Sequence, residues 1–137
     1  MSGQKPSTLP WWVSTIALAG AALLTLGGIL ALVNPAMLVG RAAEIDAAAR
    51  VYAGYLVSRN LAVAAMLLGA WIIRARAVLS GALLLTAIIQ FLDVGLDCAE
   101  GRWAMVPGIA VLGILFLLAA VRTLGTPLWR IDSWRNP

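Results

Sequence analysis

Long apolar runs alternate with short polar interruptions along the chain. Each run is close to the roughly 20 helical residues needed to cross about 30 Å of hydrocarbon. The pattern predicts four membrane-spanning helices, at residues 11–33, 47–73, 77–96 and 103–124. We therefore expect an all-α integral membrane four-helix bundle with antiparallel helices. Residues 1–137 are predicted to form one transmembrane domain, with an amphipathic tail at 125–137 that suits a lipid surface.

Local signals predict the ends of these helices. Asn34 and Pro35 stop the first helix, because a proline disfavours helical backbone in the residue before it. Asp46 is a suitable N-cap for the second helix, and Gly125 marks the end of the fourth. Pro107 either opens the fourth helix or fits into its first turns, and the sequence leaves both possibilities open.

The composition indicates a membrane protein without redox or metal chemistry. Hydrophobic residues make up 62% of the chain, charged residues 12%, and the mean hydropathy is +0.94. The ten Lys and Arg residues are spread one or two at a time between apolar runs, which indicates membrane topology rather than nucleic-acid binding. Without histidine and with only Cys98, the chain can form neither an intramolecular disulfide nor a histidine-ligated metal or haem site. We expect no metal and no cofactor.

The distribution of positive charge predicts the orientation in the membrane. Arg41, Arg50 and Arg102 lie on one side, where neighbouring acidic residues dilute their charge. The larger group of basic residues lies on the side that holds both termini: Lys5, Arg74, Arg76, Arg122, Arg130 and Arg135. Cytoplasmic loops carry the excess of Lys and Arg. Both termini are therefore expected in the cytoplasm, in a multi-pass protein of the bacterial inner membrane.

A polar stripe runs along the predicted second helix. Tyr52, Tyr55 and Arg59 fall at positions i, i+3 and i+7, which share one face of a helix. Arg50 lies at the outer end of this helix. Asn60 lies about 100° around the helix from Arg59, so it is expected to bond a neighbouring helix. Exposing an arginine to lipid at this depth costs roughly 2.5 to 3.5 kcal/mol on insertion scales, so Arg59 is expected to face inward.

A second polar stripe lies on the predicted third helix, where Gln90, Asp93 and Asp97 follow three-and-four spacing. If the basic turn at residues 74–76 marks the inner boundary, a rise of 1.5 Å per residue places Arg59 about 22 Å and Asp93 about 25 Å above it. Both groups come out at the same depth, in the outer third of the bilayer. The sequence therefore predicts that Arg59 and Asp93 face each other.

These residues have a structural and a functional interpretation. Arg59 and Asp93 could form an ion pair that locks the second helix to the third. Alternatively, Arg59, Asp93, Asp97 and Tyr55 are candidate catalytic groups, with Arg59 binding an anion or polarising an oxygen and an aspartate exchanging a proton. Asp97 is expected to border water and to share the Arg59 charge or lie near Arg50. Ligand contacts would come from Tyr52, Asn60, Gln90 and Arg50. The tyrosines also fit an aromatic belt at the membrane interface.

The entry to the second helix, Arg50-Val-Tyr52-Ala-Gly54, together with Asp93 late in the third, resembles a family of small bacterial four-helix membrane proteins defined as a domain of unknown function. The resemblance covers most of the chain and implies the four-helix fold, but no activity and no catalytic residues. The chain does not resemble small multidrug exporters, whose first span carries a glutamate that this first span lacks.

Three classes of function remain open. The favoured one is a membrane protein that binds a lipophilic small molecule in a polar pocket and converts it by acid–base chemistry, as an isomerase, hydrolase or cyclase. A proton- or ion-coupled transporter would need charges reachable from both sides, whereas these cluster on one side. An accessory or scaffolding subunit would use the charges structurally. The expected partners are the lipid bilayer, the lipophilic ligand, and further copies of the chain or a larger membrane complex.

Overall fold

The computed structural model describes residues 9–34, 36 and 46–125. Its four long helices are α1 (Trp11–Val33), α2 (Ala47–Ile72), α3 (Arg76–Ala99) and α4 (Val106–Leu124). All four are long and apolar enough to cross a membrane. The predicted all-helical architecture of a multi-pass membrane protein is therefore confirmed. The predicted amphipathic tail lies outside the described residues, except for Gly125.

The observed helix boundaries differ from the predicted ones mainly at α3 and α4. The third helix continues to Ala99, three residues beyond its predicted end, and the fourth begins at Val106 rather than at residue 103. Residues 103–105 form turns instead of a helix. Pro107 then lies in the first turn of α4, where a missing N–H leaves no helical hydrogen bond unmade. Of the two possibilities for Pro107, it therefore fits the first turn and does not open the helix.

Asp46 caps α2 as predicted. The Ala49 N–H donates to the Asp46 Oδ1 at 2.7 Å, which satisfies one of the helix's free N–H groups. At the end of α1, the Asn34 N–H donates to the Leu30 carbonyl at 2.9 Å. The Asp46 N-cap contributes roughly 1 kcal/mol to the stability of α2.

The C-terminal ends of α2 and α3 share one hydrogen-bonded form, the Schellman motif. After α3, the Gly101 N–H donates to the Cys98 carbonyl and the Arg102 N–H donates to the Asp97 carbonyl, at 3.2 and 2.8 Å. After α2, Arg74 and the residue after it make the equivalent bonds to the last turn of that helix, at 3.2 and 3.0 Å. Both motifs need a left-handed residue, which is Gly101 (φ 73°) in one and Arg74 (φ 56°) in the other. Arg74 is the costlier choice, because a Cβ crowds the backbone there.

The helices pack as two pairs. Contacts are most extensive between α1 and α2 and between α3 and α4, and fewer contacts join the two pairs. Within the second pair, the Ser80 hydroxyl donates to the Ala120 carbonyl at 2.9 Å, in a buried hydrogen bond from α3 to α4. Such interhelical bonds in membranes contribute about 0.6 kcal/mol on average. Close backbone approach occurs at Gly28, where an added Cβ would lie 3.5 Å from the Val57 Cα.

Candidate functional site

A cavity of about 240 Å³ lies where the two helix pairs meet, and all four helices contribute to its wall. Most of that wall is glycine and apolar side chains, with leucines from α1, α2 and α4 and the Phe116 ring. The polar residues of the wall are Arg59, Asn60, Thr86, Gln90 and Asp93. The Thr86 hydroxyl already donates to the Ala82 carbonyl of its own helix at 2.8 Å. The groups open to a ligand are therefore one guanidinium, one carboxyl and two amides.

Four of the residues predicted from the sequence come together around this cavity, and four do not. Arg59, Asn60, Gln90 and Asp93 line it. The residues outside its wall are Arg50, Tyr52, Tyr55 and Asp97. Sequence spacing placed six of the eight on two facing stripes, all except Arg50 and Asn60. Each stripe is divided in the structure, because Arg59, Gln90 and Asp93 line the cavity whereas Tyr52, Tyr55 and Asp97 do not.

Arg59 and Asp93 approach the same cavity without touching. Among the described residues, the ion pairs within 4.0 Å are those of Arg102, so the guanidinium of Arg59 and the carboxylate of Asp93 do not form one. Arg59 is exposed and Asp93 is half-buried. The direct, inward-facing pair predicted from their equal depth is therefore wrong, although both residues line the same cavity.

The packed face of α2 explains the position of Arg59. Buried residues on this helix are Asn60, Val63, Ala64, Leu67 and Ala70, which follow helical spacing from Asn60. Arg59 is about 100° away from the start of this face, at its edge. The inward direction of α2 is therefore set by Asn60, and Arg59 reaches the cavity from the side.

Asn60 is the most buried of the polar groups open to the cavity, with 7% of its surface exposed. It packs against α1, where a Cβ added to Gly27 would lie 3.9 Å from the Asn60 Nδ2. In the described part of the chain, its amide makes no hydrogen bond. The predicted bond from Asn60 to a neighbouring helix is therefore absent there. Its amide lines the cavity with donors and an acceptor free, so a polar ligand atom there could form a hydrogen bond with it.

Asp97 has a different partner from those predicted. It is buried, and its carboxylate forms an ion pair with the Arg102 guanidinium, while the Arg102 Nε lies 3.0 Å from the Glu100 Oε2. The Schellman turn at Gly101 brings Arg102 back over the last turn of α3. Asp97 therefore pairs within its own helix end and not with Arg59 or Arg50. Sequence reasoning missed Arg102, whose position just after a glycine that ends the helix was the available signal.

Tyr52 and Tyr55 lie on the outer surface of α2, with 73% and 70% of their surface exposed. Arg50 is exposed as well. This placement agrees with the alternative of an aromatic belt at the membrane interface, which the sequence had left open. The Tyr55 hydroxyl is not part of the cavity wall, so it has no contact with a ligand bound there in this conformation.

The cavity wall thus combines hydrogen-bond donors of Arg59, acceptors of Asp93, and amides of Asn60 and Gln90 that do both. In residues 9–34, 36 and 46–125, no group of three or more His, Cys, Asp and Glu side chains is placed to hold a metal ion. Comparison of the chain with protein-family models, with curated proteins and with solved structures finds no match.

Proposed function

We propose that the protein is a multi-pass protein of the bacterial inner membrane that binds a lipophilic small molecule in the cavity between its helix pairs. The observation that carries this proposal is the amide of the buried residue Asn60, which lines the cavity without a hydrogen-bond partner among the described residues. The apolar remainder of the wall suits a hydrocarbon body, and a few polar groups suit its head, which is the usual division in small-molecule sites.

The polar groups around the cavity are also suited to acid–base chemistry. Arg59 would bind or polarise an oxygen of the ligand, and Asp93 would accept or return a proton. Isomerisation, hydrolysis and cyclisation each need such a combination of charge stabilisation and proton transfer. Asp97 would act only indirectly, because its carboxylate is held by Arg102.

The proposed arrangement has antiparallel neighbours and both termini in the cytoplasm. Two contact pairs support the antiparallel packing of α3 and α4: Ser80 bonds Ala120, whereas Gln90 packs against Gly113, so the partner numbers fall as the α3 numbers rise. The excess of basic residues at the proposed cytoplasmic ends supports the orientation.

The orientation predicts that a cysteine in the turn after α2 is protected in intact cells. In a Cys98→Ser background, Ala104→Cys should react with a membrane-impermeant thiol reagent, and Ile73→Cys should react only after permeabilisation. Both positions are exposed turns, so differences in labelling report sidedness rather than burial. Labelling of Ile73→Cys in intact cells would contradict the orientation.

Filling the cavity tests the binding proposal. Gly27 lines the cavity, and an added Cβ there would meet no atom closer than 3.9 Å. Gly27→Leu is therefore expected to fold while its side chain occupies the space for a ligand. The lipophilic compound that purifies with the wild type should fall by about tenfold or more, since even one lost methylene-sized space costs 1 to 3 kcal/mol. Extraction with solvent followed by mass spectrometry measures it.

Gly95→Leu is the matched control for this experiment. Gly95 is exposed on α3, outside the cavity wall, and an added Cβ there would meet no atom within 4 Å. This variant should carry the compound at the wild-type level. Equal amounts in Gly27→Leu and wild type would show that no ligand occupies the cavity.

An accessory subunit of a membrane complex is the second candidate function. The observation that favours it is the exposed polar surface of α2, where Tyr52 and Tyr55 lie on the outer surface and Arg59 is exposed at the edge of the packed face. A partner helix, from another protein or from a second copy, would cover this face. Under this alternative, wild type and Gly27→Leu would both purify without a specific compound, and Tyr55→Phe with Arg59→Gln would weaken the complex.

A further inference from the structure

The charges at the cavity suggest the class of ligand that it takes. Arg59 and Asp93 contribute one positive and one negative charge to the wall, and they do not neutralise each other in an ion pair within 4.0 Å. An anionic ligand group would suit Arg59 but would be repelled by Asp93, and a cationic group would have the reverse problem. A ligand head that carries both charges complements both side chains.

The two amides extend this recognition. Asn60 on α2 and Gln90 on α3 line the same cavity and belong to the same helices as Arg59 and Asp93. An amide donates two hydrogen bonds through nitrogen and accepts through oxygen. Asn60 can therefore add a donor beside Arg59 for an anionic group, and Gln90 can add an acceptor beside Asp93 for an ammonium group.

The size of the cavity limits how much of a ligand it encloses. A volume of about 240 Å³ is below the roughly 300–1,000 Å³ of pockets that enclose a whole drug-sized ligand. It holds a small polar head and the hydrocarbon next to it, but not a pair of acyl chains. Leu23 and Arg59 line the cavity and are also exposed on the surface of membrane-spanning helices, so the cavity reaches the lipid-facing side of the bundle. Acyl chains can stay in the bilayer while the head enters.

We propose that the ligand is a glycerophospholipid whose head carries a phosphate and a primary ammonium two carbons apart, that is, an ethanolamine head group. The phosphate meets Arg59 and Asn60, and the ammonium meets Asp93 and Gln90. This inference rests on the proposed function and names the ligand class of the same site.

A competition between lipids tests this inference. The purified full-length protein is incubated in micelles with equimolar phosphatidylethanolamine, phosphatidylglycerol and phosphatidylcholine of identical acyl chains, and retained lipids are counted by native mass spectrometry. Phosphatidylethanolamine should exceed each of the others by about tenfold, because a hydrogen bond to a charged group is at stake in each comparison. Phosphatidylcholine keeps the positive charge but has no N–H donor, so this readout needs no variant of the protein.

Two variants test which side chain recognises which charge of the head group. Asp93→Asn should remove the preference for the ethanolamine head over phosphatidylglycerol, whereas Arg59→Gln should lower retention of all three lipids. Asp46→Asn and Arg122→Gln are the matched controls, since they make the same changes at exposed positions outside the cavity wall, and asparagine still caps a helix. Both controls should bind as the wild type does.

The source of the head group is tested with soluble glycerophosphoethanolamine, which lacks acyl chains. It should fail to displace the lipid even at a large excess; displacement at equal concentration would overturn the lipid assignment. Preferential retention of phosphatidylglycerol, or equal retention of all three lipids, would overturn the ethanolamine inference. If Gly27→Leu excludes a compound other than phosphatidylethanolamine, the proposed function stands and only the ethanolamine inference fails. If Gly27→Leu changes no retention at all, both proposals fail.

Discussion

Arg102→Ala is expected to lower the free energy of unfolding by about 3 kcal/mol, because it leaves the Asp97 carboxylate buried without a counter-charge. Only 6% of the Asp97 side chain is exposed, and the Arg102 guanidinium is its ion-pair partner. The Arg102 side chain is itself 38% exposed, which places the expected loss at the low end of the range for broken buried pairs. Denaturant unfolding in detergent micelles, followed by tryptophan fluorescence, measures the change.

Two further variants separate the ion pair from a general effect on the turn. Glu100→Gln removes the exposed partner of Arg102 and should change stability by less than about 0.5 kcal/mol. Adding Asp97→Asn to Arg102→Ala should restore part of the loss, because the buried group is then neutral. Strictly additive losses in the double variant would mean that the two side chains do not interact.

Gly20→Ala is expected to destabilise the protein by about 1 to 3 kcal/mol, the range found for overpacked cores. A Cβ on Gly20 would lie 2.5 Å from an edge atom of the Phe116 ring, which is impossible without movement. Phe116 is only 4% exposed, so the ring can shift only by disturbing the packing of α1 against α4 or by entering the cavity. The same unfolding measurement detects the loss, and reduced ligand retention would accompany a ring that moves into the cavity.

The cause of that loss is tested on the ring itself. Gly20→Ala combined with Phe116→Leu should be more stable than the sum of the two single changes predicts, because the shorter side chain makes room for the new methyl group. Gly108→Ala serves as the control, since Gly108 is exposed and an added Cβ there meets no atom within 4 Å. It should be neutral or slightly stabilising through helix propensity. A loss equal to that of Gly20→Ala would rule out the ring contact as the cause.

The helices could be predicted from the sequence because their signals are local. Long apolar runs and the capping residue Asp46 identified α1 and the start of α2 at the observed residues. The end of α3 was misplaced because Asp97, a charged residue, was taken to leave the helix, although it lies in the last turn and is neutralised by Arg102. A charge within a helix end is a poor boundary signal when its partner is one turn away.

Which face of α2 packs against the other helices was predicted less accurately. In a soluble protein the apolar stripe of a helix marks its buried face, but in a membrane both lipid and protein core are apolar. The cost of exposing Arg59 suggested that its face was inward, whereas the packed face begins at Asn60 and continues through small residues such as Ala64 and Ala70. Depth along the helix was the more useful quantity, because it placed Arg59 and Asp93 at the level of one cavity.

The left-handed Arg74 has a consequence for how the protein is made. A glycine at this position would relieve backbone strain of about 1 kcal/mol in the finished protein. It would also remove a positive charge from the short connection between α2 and α3, which in the proposed orientation stays on the cytoplasmic side. Positive charge in short connections influences orientation when helices enter the membrane, before they pack into a bundle. In the proposed orientation, the arginine would therefore help to keep this connection in the cytoplasm, at the cost of a less favourable turn.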